Sequence, residues 1–364
     1  MMRGRTILLC LAFAMPLALP VHTIAQRPAD VPDRALDDAV RSAVIDGLIK
    51  QLNSVYIFPD VAKKMEQAIR SRKAKKEYDT ITSGREFAKV LTDHLREVYK
   101  DEHLEVQYFA NGIPYDSEKP PVAEEVQRFR ERGRRRNYEF KKVERLDGGI
   151  GLLQVDGFYP AEWIAETAAG AMAFLANSEA VILDLRENHG GMSGGVLLCS
   201  YFLREETHLR DFHNRSENTT RQVWSYPVVG GEKFADKDLY ILTSSRTFSA
   251  PEALAYDMQA LKRATIVGET THGGANPTTV FRITDHFSAS IPFATSINAV
   301  TKTDSGRDGV KPDVAVPPDQ ALLTAHLMAL RKSLKKNGGD NDLAASLKRI
   351  IAEKEKELSV LKAR

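Results

Sequence analysis

A serine stands between an apolar run and a helix pattern in Thr243-Ser244-Ser245-Arg246-Thr247-Phe248-Ser249-Ala250-Pro251-Glu252. The preceding Leu239-Tyr240-Ile241-Leu242-Thr243 predicts a short buried strand, and residues 253–261 predict a helix with one apolar face. Ser249 would then lie at the carboxyl end of a strand and at a helix N-terminus. Ligands gather at that edge of open α/β sheets, and the first backbone N–H groups of the helix can hold developing negative charge. The same residue types also make ordinary helix caps, with Ser or Thr at the N-cap and Pro in the first turn. A nucleophilic reading needs two further parts, a base for the hydroxyl proton and an oxyanion site. Asp184-Leu185-Arg186-Glu187-Asn188-His189-Gly190-Gly191 offers the second, because two glycines follow a buried strand and leave bare N–H groups accessible. An ordinary glycine turn fits that stretch too. A phosphate loop does not, since the Lys-Ser/Thr ending and the full glycine spacing are missing.

The elements around these residues alternate. Strands are expected at 150–155, 180–185, 239–243 and 264–268, and helices at 161–175, at 195–203 and after Ser249. This alternation implies an α/β fold, a mostly parallel sheet flanked by helices. Val40, Val44, Leu48, Leu52 and Val55, then Val61, Met65 and Ile69, repeat at helical spacing, and Ser83-Gly84-Arg85-Glu86 opens a further helix as a capping box. Leu104, Val106 and Tyr108 alternate as in a half-buried strand behind His103. A β-rich stretch is expected over 278–299, and a helical end from Asp319 onward, charged on most faces beyond Asp340. The expected organisation is a signal peptide at 1–25, an N-terminal helical unit at 26–110 and a charged linker at 111–140. A catalytic α/β domain at 141–317 and a C-terminal helical tail at 318–364 complete it.

Arg3 and Arg5, the apolar residues 7–19 and the small-residue site Thr23-Ile24-Ala25 read as an export signal. Pro16 and Pro20 break the run, so a retained membrane anchor is disfavoured and a periplasmic or extracellular location is expected. Cys10 falls in that signal, leaving Cys199 as a small core residue without a disulfide partner. A net charge of +2 argues against a nucleic-acid partner. The arginines at 128, 130, 132, 134, 135 and 136 form a local exception, best read as a solvated linker or helix.

Four segments in order resemble the tail-specific, or carboxyl-terminal-processing, serine peptidase family, in its branch with the tricorn core and the interphotoreceptor retinoid-binding proteins. They are residues 184–191, Thr247-Phe248-Ser249-Ala250-Pro251-Glu252, residues 263–271, and Gly309-Val310-Lys311-Pro312-Asp313-Val314. The similarity runs with gaps over about residues 35–316. It implies a crotonase-like ββα spiral core, Ser249 as nucleophile and the amides of Gly191 and Ala250 as oxyanion hole, with Gly190 a close second to Gly191. The processing branch takes its base from a lysine in Phe-Gly-Lys-Gly, but here His272-Gly273-Gly274-Ala275 puts Gly274 at that position. The tricorn-like branch takes a histidine from ahead of the sheet, which Asp101-Glu102-His103-Leu104-Glu105-Val106 resembles. His103 is therefore the expected base and His272 the runner-up. The branch's Trp-Glu-Gly-x-Gly-Val supplies an orienting glutamate. This chain reads Asp304-Ser305-Gly306-Arg307-Asp308-Gly309-Val310, which leaves Asp308 or Asp304 as substitutes, and Asn276 replaces the branch's loop histidine.

No Gly-x-Ser-x-Gly elbow surrounds Ser249, and no His-Glu-x-x-His occurs, so neither a lipase-like hydrolase nor a zinc peptidase is indicated. No cofactor and no metal are expected. The segment between helical unit and sheet is too short and charged for a PDZ domain, so substrate selection is expected in the cleft between the two. The expected function is an exported serine endopeptidase acting on oligopeptides or unfolded proteins. The alternative is an inactive binding protein on the same fold, holding peptides or apolar ligands.

Overall fold

The computed structural model describes residues 33, 35–113, 122–274, 276–304, 308–338 and 341–363. The export signal expected at 1–25 lies outside these residues. Three helices come first: α1 (Asp38–Val55), α2 (Pro59–Ala74) and α3 (Gly84–Val98). Asp37 caps α1 by accepting the Val40 N–H, and Ser83 caps α3 by accepting the Glu86 N–H at 3.0 Å. The strand β1 (Glu105–Tyr108) follows. Inside the expected linker the arginine-rich segment forms a helix, α4 (Ala123–Arg135), whose apolar contacts are few. Phe129 stacks on Tyr159, and Gly133 leaves room for the rings of Tyr138 and Tyr159.

The central sheet holds six strands. In spatial order they are β12 (Val314–Ala315), β8 (Ala264–Gly268), β7 (Asp238–Thr243), β4 (Ala180–Asp184), β3 (Ile150–Val155) and β2 (Phe140–Leu146). Only the β2–β3 pair is antiparallel. Register divides the side chains between two cores. Leu153, Leu183, Ile241 and Ile266 lie in one row and pack under α5 (Ala161–Phe174), α6 (Gly194–Tyr201) and α7 (Ala250–Ala260). Leu152, Ile182 and Tyr240 face the other way, against α8 (Pro318–Lys336) and α9 (Asn341–Lys362). With both faces buried, these strands read as continuous apolar runs. Cys199 is buried in the first of the two cores.

Two small sheets complete the fold. In one, β5 (His208–Asn214) lies between β6 (Thr219–Trp224) and β11 (Ala294–Asn298). Arg210 of β5 makes a buried ion pair with Asp257 of α7, whose carboxylate also accepts from Asn298 Nδ2 at 2.8 Å. In the other, β1 pairs with β10 (Phe287–Pro292), which pairs with β9 (Thr278–Arg282). Phe287, Ala289 and Ile291 of β10 share a third core with Leu48, Leu52, Phe87, Leu91 and Val106. Burying a Leu or Phe completely is worth about 1.5–3 kcal/mol. The N-terminal helices thus depend on strands from late in the chain to close their core. Among the described residues no helix is long and apolar enough to cross a membrane.

Candidate active site

Ser249 is the residue before α7 and has φ +71° and ψ −118°, a left-handed backbone for a side chain that ordinarily avoids it. Its surroundings hold it there. Glu252, wholly buried, accepts the Ser249 N–H on Oε2 at 2.6 Å, the Thr271 hydroxyl on Oε1 at 2.6 Å and the Gly273 N–H at 2.8 Å. A further bond comes from the Gly274 N–H. Thr271 in turn accepts the Val310 N–H at 2.7 Å. Burial pushes the Glu252 carboxyl above its ordinary range, against the pull of these donors. Glu252 lies three residues after Ser249, so it serves as half of a capping box while the Ser249 hydroxyl caps nothing. That hydroxyl makes no hydrogen bond among the described residues. The role of Glu252 was not drawn from the sequence, although its spacing from Ser249 was visible there.

The loop after β4 is built around Asn188, which is fully buried. Its Nδ2 donates to the Val155 carbonyl at 2.9 Å, its Oδ1 accepts the Gly190 N–H at 3.0 Å, and its carbonyl accepts the Phe248 N–H at 3.1 Å. One residue therefore ties the loop to β3 and to the turn that carries Ser249. Gly190 and Gly191 have φ +110° and +133°. A Cβ on Gly191 would lie 1.9 Å from the Phe158 carbonyl oxygen, and one on Gly190 would lie 3.1 Å from the Ser249 Cβ. Only glycine fits in both places. Because the Gly190 N–H is spent on Asn188, the Gly191 N–H is the one left without a hydrogen bond among the described residues. Ala250, first in α7, likewise has an N–H with no intrahelical acceptor, and Pro251 behind it has no N–H to compete.

His103 arrives from the other core. Its turn is fixed by Asp101, which accepts the His103 N–H at 3.2 Å and the Tyr56 hydroxyl at 2.9 Å. Arg96 of α3 clamps the same turn by donating to the Leu104 and Glu102 carbonyls at 3.0 and 2.8 Å. Burial raises the Asp101 carboxyl, and these donors oppose the shift. The His103 imidazole is buried and stacks on Phe248, with centroids 4.4 Å apart and planes 32° apart. The structure so brings His103 to the residue next to Ser249, without a hydrogen bond between the two side chains. His272 packs edge-on against the same Phe248 ring at 5.1 Å, and its Nδ1 donates to the Ser245 carbonyl at 3.1 Å. Its Nε2 stands 3.8 Å from Glu102.

Asp308, expected near His103, is exposed, and neither it nor the half-buried Asp304 has a hydrogen bond or ion pair to the imidazole. Asp308 precedes Gly309, which takes φ +77° as it passes the Thr271 carbonyl, so the aspartate occupies a solvated turn. Along the turn that leads into Ser249 runs a cleft of about 490 Å³, lined by His189, Ser245, Arg246, Phe248 and His272 but not by Ser249 or His103. Among the described residues no cluster of three or more His, Cys, Asp or Glu side chains is arranged to hold a metal.

Known proteins share this arrangement of sequence and fold. The model of Peptidase family S41 matches residues 149–316, and that of the N-terminal domain of Peptidase_S41 in eukaryotic IRBP matches residues 35–134. A carboxyl-terminal-processing protease of Synechocystis sp. is 29% identical over 148 residues, 40% of this chain and 33% of that protein. The protein of the same description from Picosynechococcus sp. is 30% identical over 139 residues, 38% and 32% of the two chains. This chain therefore spans about a third of the length of these curated relatives. A solved chain from Parabacteroides merdae superposes with a TM-score of 0.57 at 18% identity, covering 80% of this chain and 96% of its own length. A lipoprotein from Streptococcus agalactiae gives 0.53 at 14%, covering 79% and 96%. Identities this low speak to the fold alone. The chain therefore carries a peptidase family S41 domain over residues 149–316, preceded over residues 35–134 by a match to the N-terminal domain described for that family.

Proposed function

We propose that this chain is a serine endopeptidase that hydrolyses peptide bonds in oligopeptides or unfolded proteins. The observation that carries the reading is Ser249 itself, a buttressed, left-handed residue at a helix N-terminus, near the amides of Gly191 and Ala250, which make no hydrogen bond among the described residues. The Ser249 Oγ attacks the scissile carbonyl carbon while His103 takes the hydroxyl proton. The oxyanion receives the N–H groups of Gly191 and Ala250, aided by the partial positive charge at the α7 N-terminus. Collapse of the tetrahedral intermediate passes the proton from His103 to the leaving amine and leaves an acyl ester on Ser249. A water that gives its proton to His103 then hydrolyses the ester. Hydrogen bonds of this kind commonly tighten only when substrate binds, which suits a His103 adjacent to, but not bonded with, Ser249. The cleft along His189, Arg246, Phe248 and His272 is the proposed substrate path.

The match to peptidase family S41 favours turnover over an inactive binding role, and Ser249→Ala separates the two. Peptide hydrolysis and labelling by a fluorophosphonate should both vanish in that variant, and equal signals from wild type and variant would refute the peptidase reading. The proposed setting is outside the cytoplasm, on the strength of the charged and apolar pattern at 1–25. N-terminal sequencing of the protein recovered after expression in a host with an export pathway tests it, a start at Gln26 being the expected result.

A further inference from the structure

Phe248 and Gly274 meet around the His103 ring in a way that the family resemblance did not call for. The Phe248 side chain is half-buried, stacked by His103 on one side and packed by His272 on another. Its backbone N–H donates to the Asn188 carbonyl, which fixes the Cα from which the ring springs beside the loop that carries Gly190 and Gly191. Gly274 supplies the opposing surface. A Cβ there would lie 2.3 Å from Phe248 Cε2 and 2.8 Å from His103 Cε1. Gly274 does not have a positive φ, so the need for glycine is one of space and not of backbone conformation. Both rings lie in the volume that any side chain at 274 would occupy.

The notch is also fixed relative to Ser249. The Gly274 and Gly273 N–H groups both donate to Glu252, whose other oxygen holds the Ser249 N–H. Two short paths thus join the hydroxyl-bearing residue to the imidazole. One is covalent, from Ser249 to Phe248 and by stacking to His103. The other runs from the Ser249 N–H through Glu252 to the Gly274 backbone and by contact to His103. A ring gripped from two directions keeps its plane, and general-base catalysis depends on that plane to within a fraction of an ångström. The same volume explains why a lysine at 274, as in the processing sequences that this chain resembles, is incompatible with this arrangement. Its side chain would begin where Phe248 and His103 already are.

We infer that Phe248 and Gly274 are positioning residues, together forming the seat that orients the His103 imidazole toward Ser249. The inference rests on the serine peptidase reading for its effect on rate, whereas the seat itself is testable without turnover. Full-length wild type, Phe248→Leu, Phe248→Tyr and Gly274→Ala are compared in kcat and KM on an unstructured peptide and in melting temperature. The imidazole proton resonances of His103, assigned in histidine-labelled protein, are followed in parallel. Phe248→Leu keeps the apolar volume but loses the ring face, and is expected to lower kcat about tenfold or more with KM changed less than about threefold. Phe248→Tyr restores most of the rate. Gly274→Ala pushes the two rings apart and lowers kcat as Phe248→Leu does. The wild-type His103 resonances should lie upfield, under the Phe248 ring, and move downfield in Phe248→Leu while the melting temperature stays close to wild type. Resonances unmoved in both Phe248→Leu and Gly274→Ala overturn the seat, whatever the activity. Resonances that move while kcat stays at the wild-type value overturn its catalytic role. Resonances that lie upfield in wild type and move in the variants as expected, in a wild type that hydrolyses nothing, refute the peptidase reading and with it the positioning role.

Discussion

Glu252→Gln tests how the Ser249 turn is held. The carboxylate accepts the Ser249 N–H on one oxygen, and the Thr271 hydroxyl and Gly273 N–H on the other. Glutamine has the same shape but keeps a single acceptor oxygen and presents an amide that only donates. With that oxygen turned toward Thr271 and Gly273, the Ser249 N–H faces a donor, and a hydrogen bond to a charged group worth about 1.5–3 kcal/mol is lost. The left-handed conformation of Ser249 costs a side-chain-bearing residue roughly 1–3 kcal/mol and survives only where its surroundings over-determine it. The two magnitudes match, so the substitution removes about as much as keeps the turn strained. Global stability should move less, because the burial that raises the Glu252 carboxyl penalises the charge, and glutamine relieves that penalty. The expected result is a fluorophosphonate labelling rate lowered about tenfold to hundredfold, at 1.4 kcal/mol per decade. The melting temperature should stay within roughly 6 °C of wild type. Labelling is measured at several probe concentrations beside a thermal melt of each protein. A folded variant labelled within about twofold of the wild-type rate refutes the argument that Glu252 holds the Ser249 turn.

Other expectations follow from the same geometry. His103→Ala should lower peptide hydrolysis about 10²- to 10⁴-fold with the melting temperature nearly unchanged, read from kcat/KM and a thermal melt. Arg210→Ala strands the Asp257 carboxylate in the core and should cost about 3–5 kcal/mol in urea unfolding, much of which Arg210→Met with Asp257→Leu recovers. Leu91→Ala empties a fully buried position in the N-terminal core and should cost about 2–5 kcal/mol by the same measurement. Burial pushes the His326 imidazole below its ordinary value of 6.5, while its Nε2–H donates to the Asp147 carbonyl at 2.8 Å. A depressed folded value means that the unfolded chain binds the proton first. The stabilisation is therefore complete above 6.5 and lost as pH falls toward the folded value. The melting temperature should drop on acidification from about pH 7 to about pH 5, and His326→Gln should flatten that slope.

The parallel sheet was legible because strands buried on both faces leave continuous apolar runs, as at 180–185 and 264–268, and Ser249 follows such a run directly. His103 is offered as a base only by the order of motifs and by no local signal, since its turn depends on Tyr56, just after α1, and on Arg96 of α3. The arginine run left linker and helix open because its charges mask the contacts of α4, which are made by Phe129 with Tyr159 and Trp163 and by Gly133. The pairing of β1 with β10 left no trace in either segment, since register between distant strands is settled by what they bury together. Asp308 was chosen by position in a motif that the chain does not keep, and position alone says nothing of where a carboxylate points. Glu252 was overlooked because a glutamate three residues after a serine is commonplace at helix starts.

Glu105 pairs with Ser290, so a strand made early waits for one made late. During synthesis the chain emerges with α1 to α3 and His103 first, then the parallel sheet and Ser249, and only afterwards β9 and β10. Contacts so remote in sequence form slowly, because a long loop must close before they repay its entropy. Until then the third core, which holds the His103 turn against Phe248, is open, and His103 and Ser249 have no fixed separation. The order of the strands therefore acts as a timer. A nascent or prematurely ended chain carries the serine but not the framework that sets a histidine beside it.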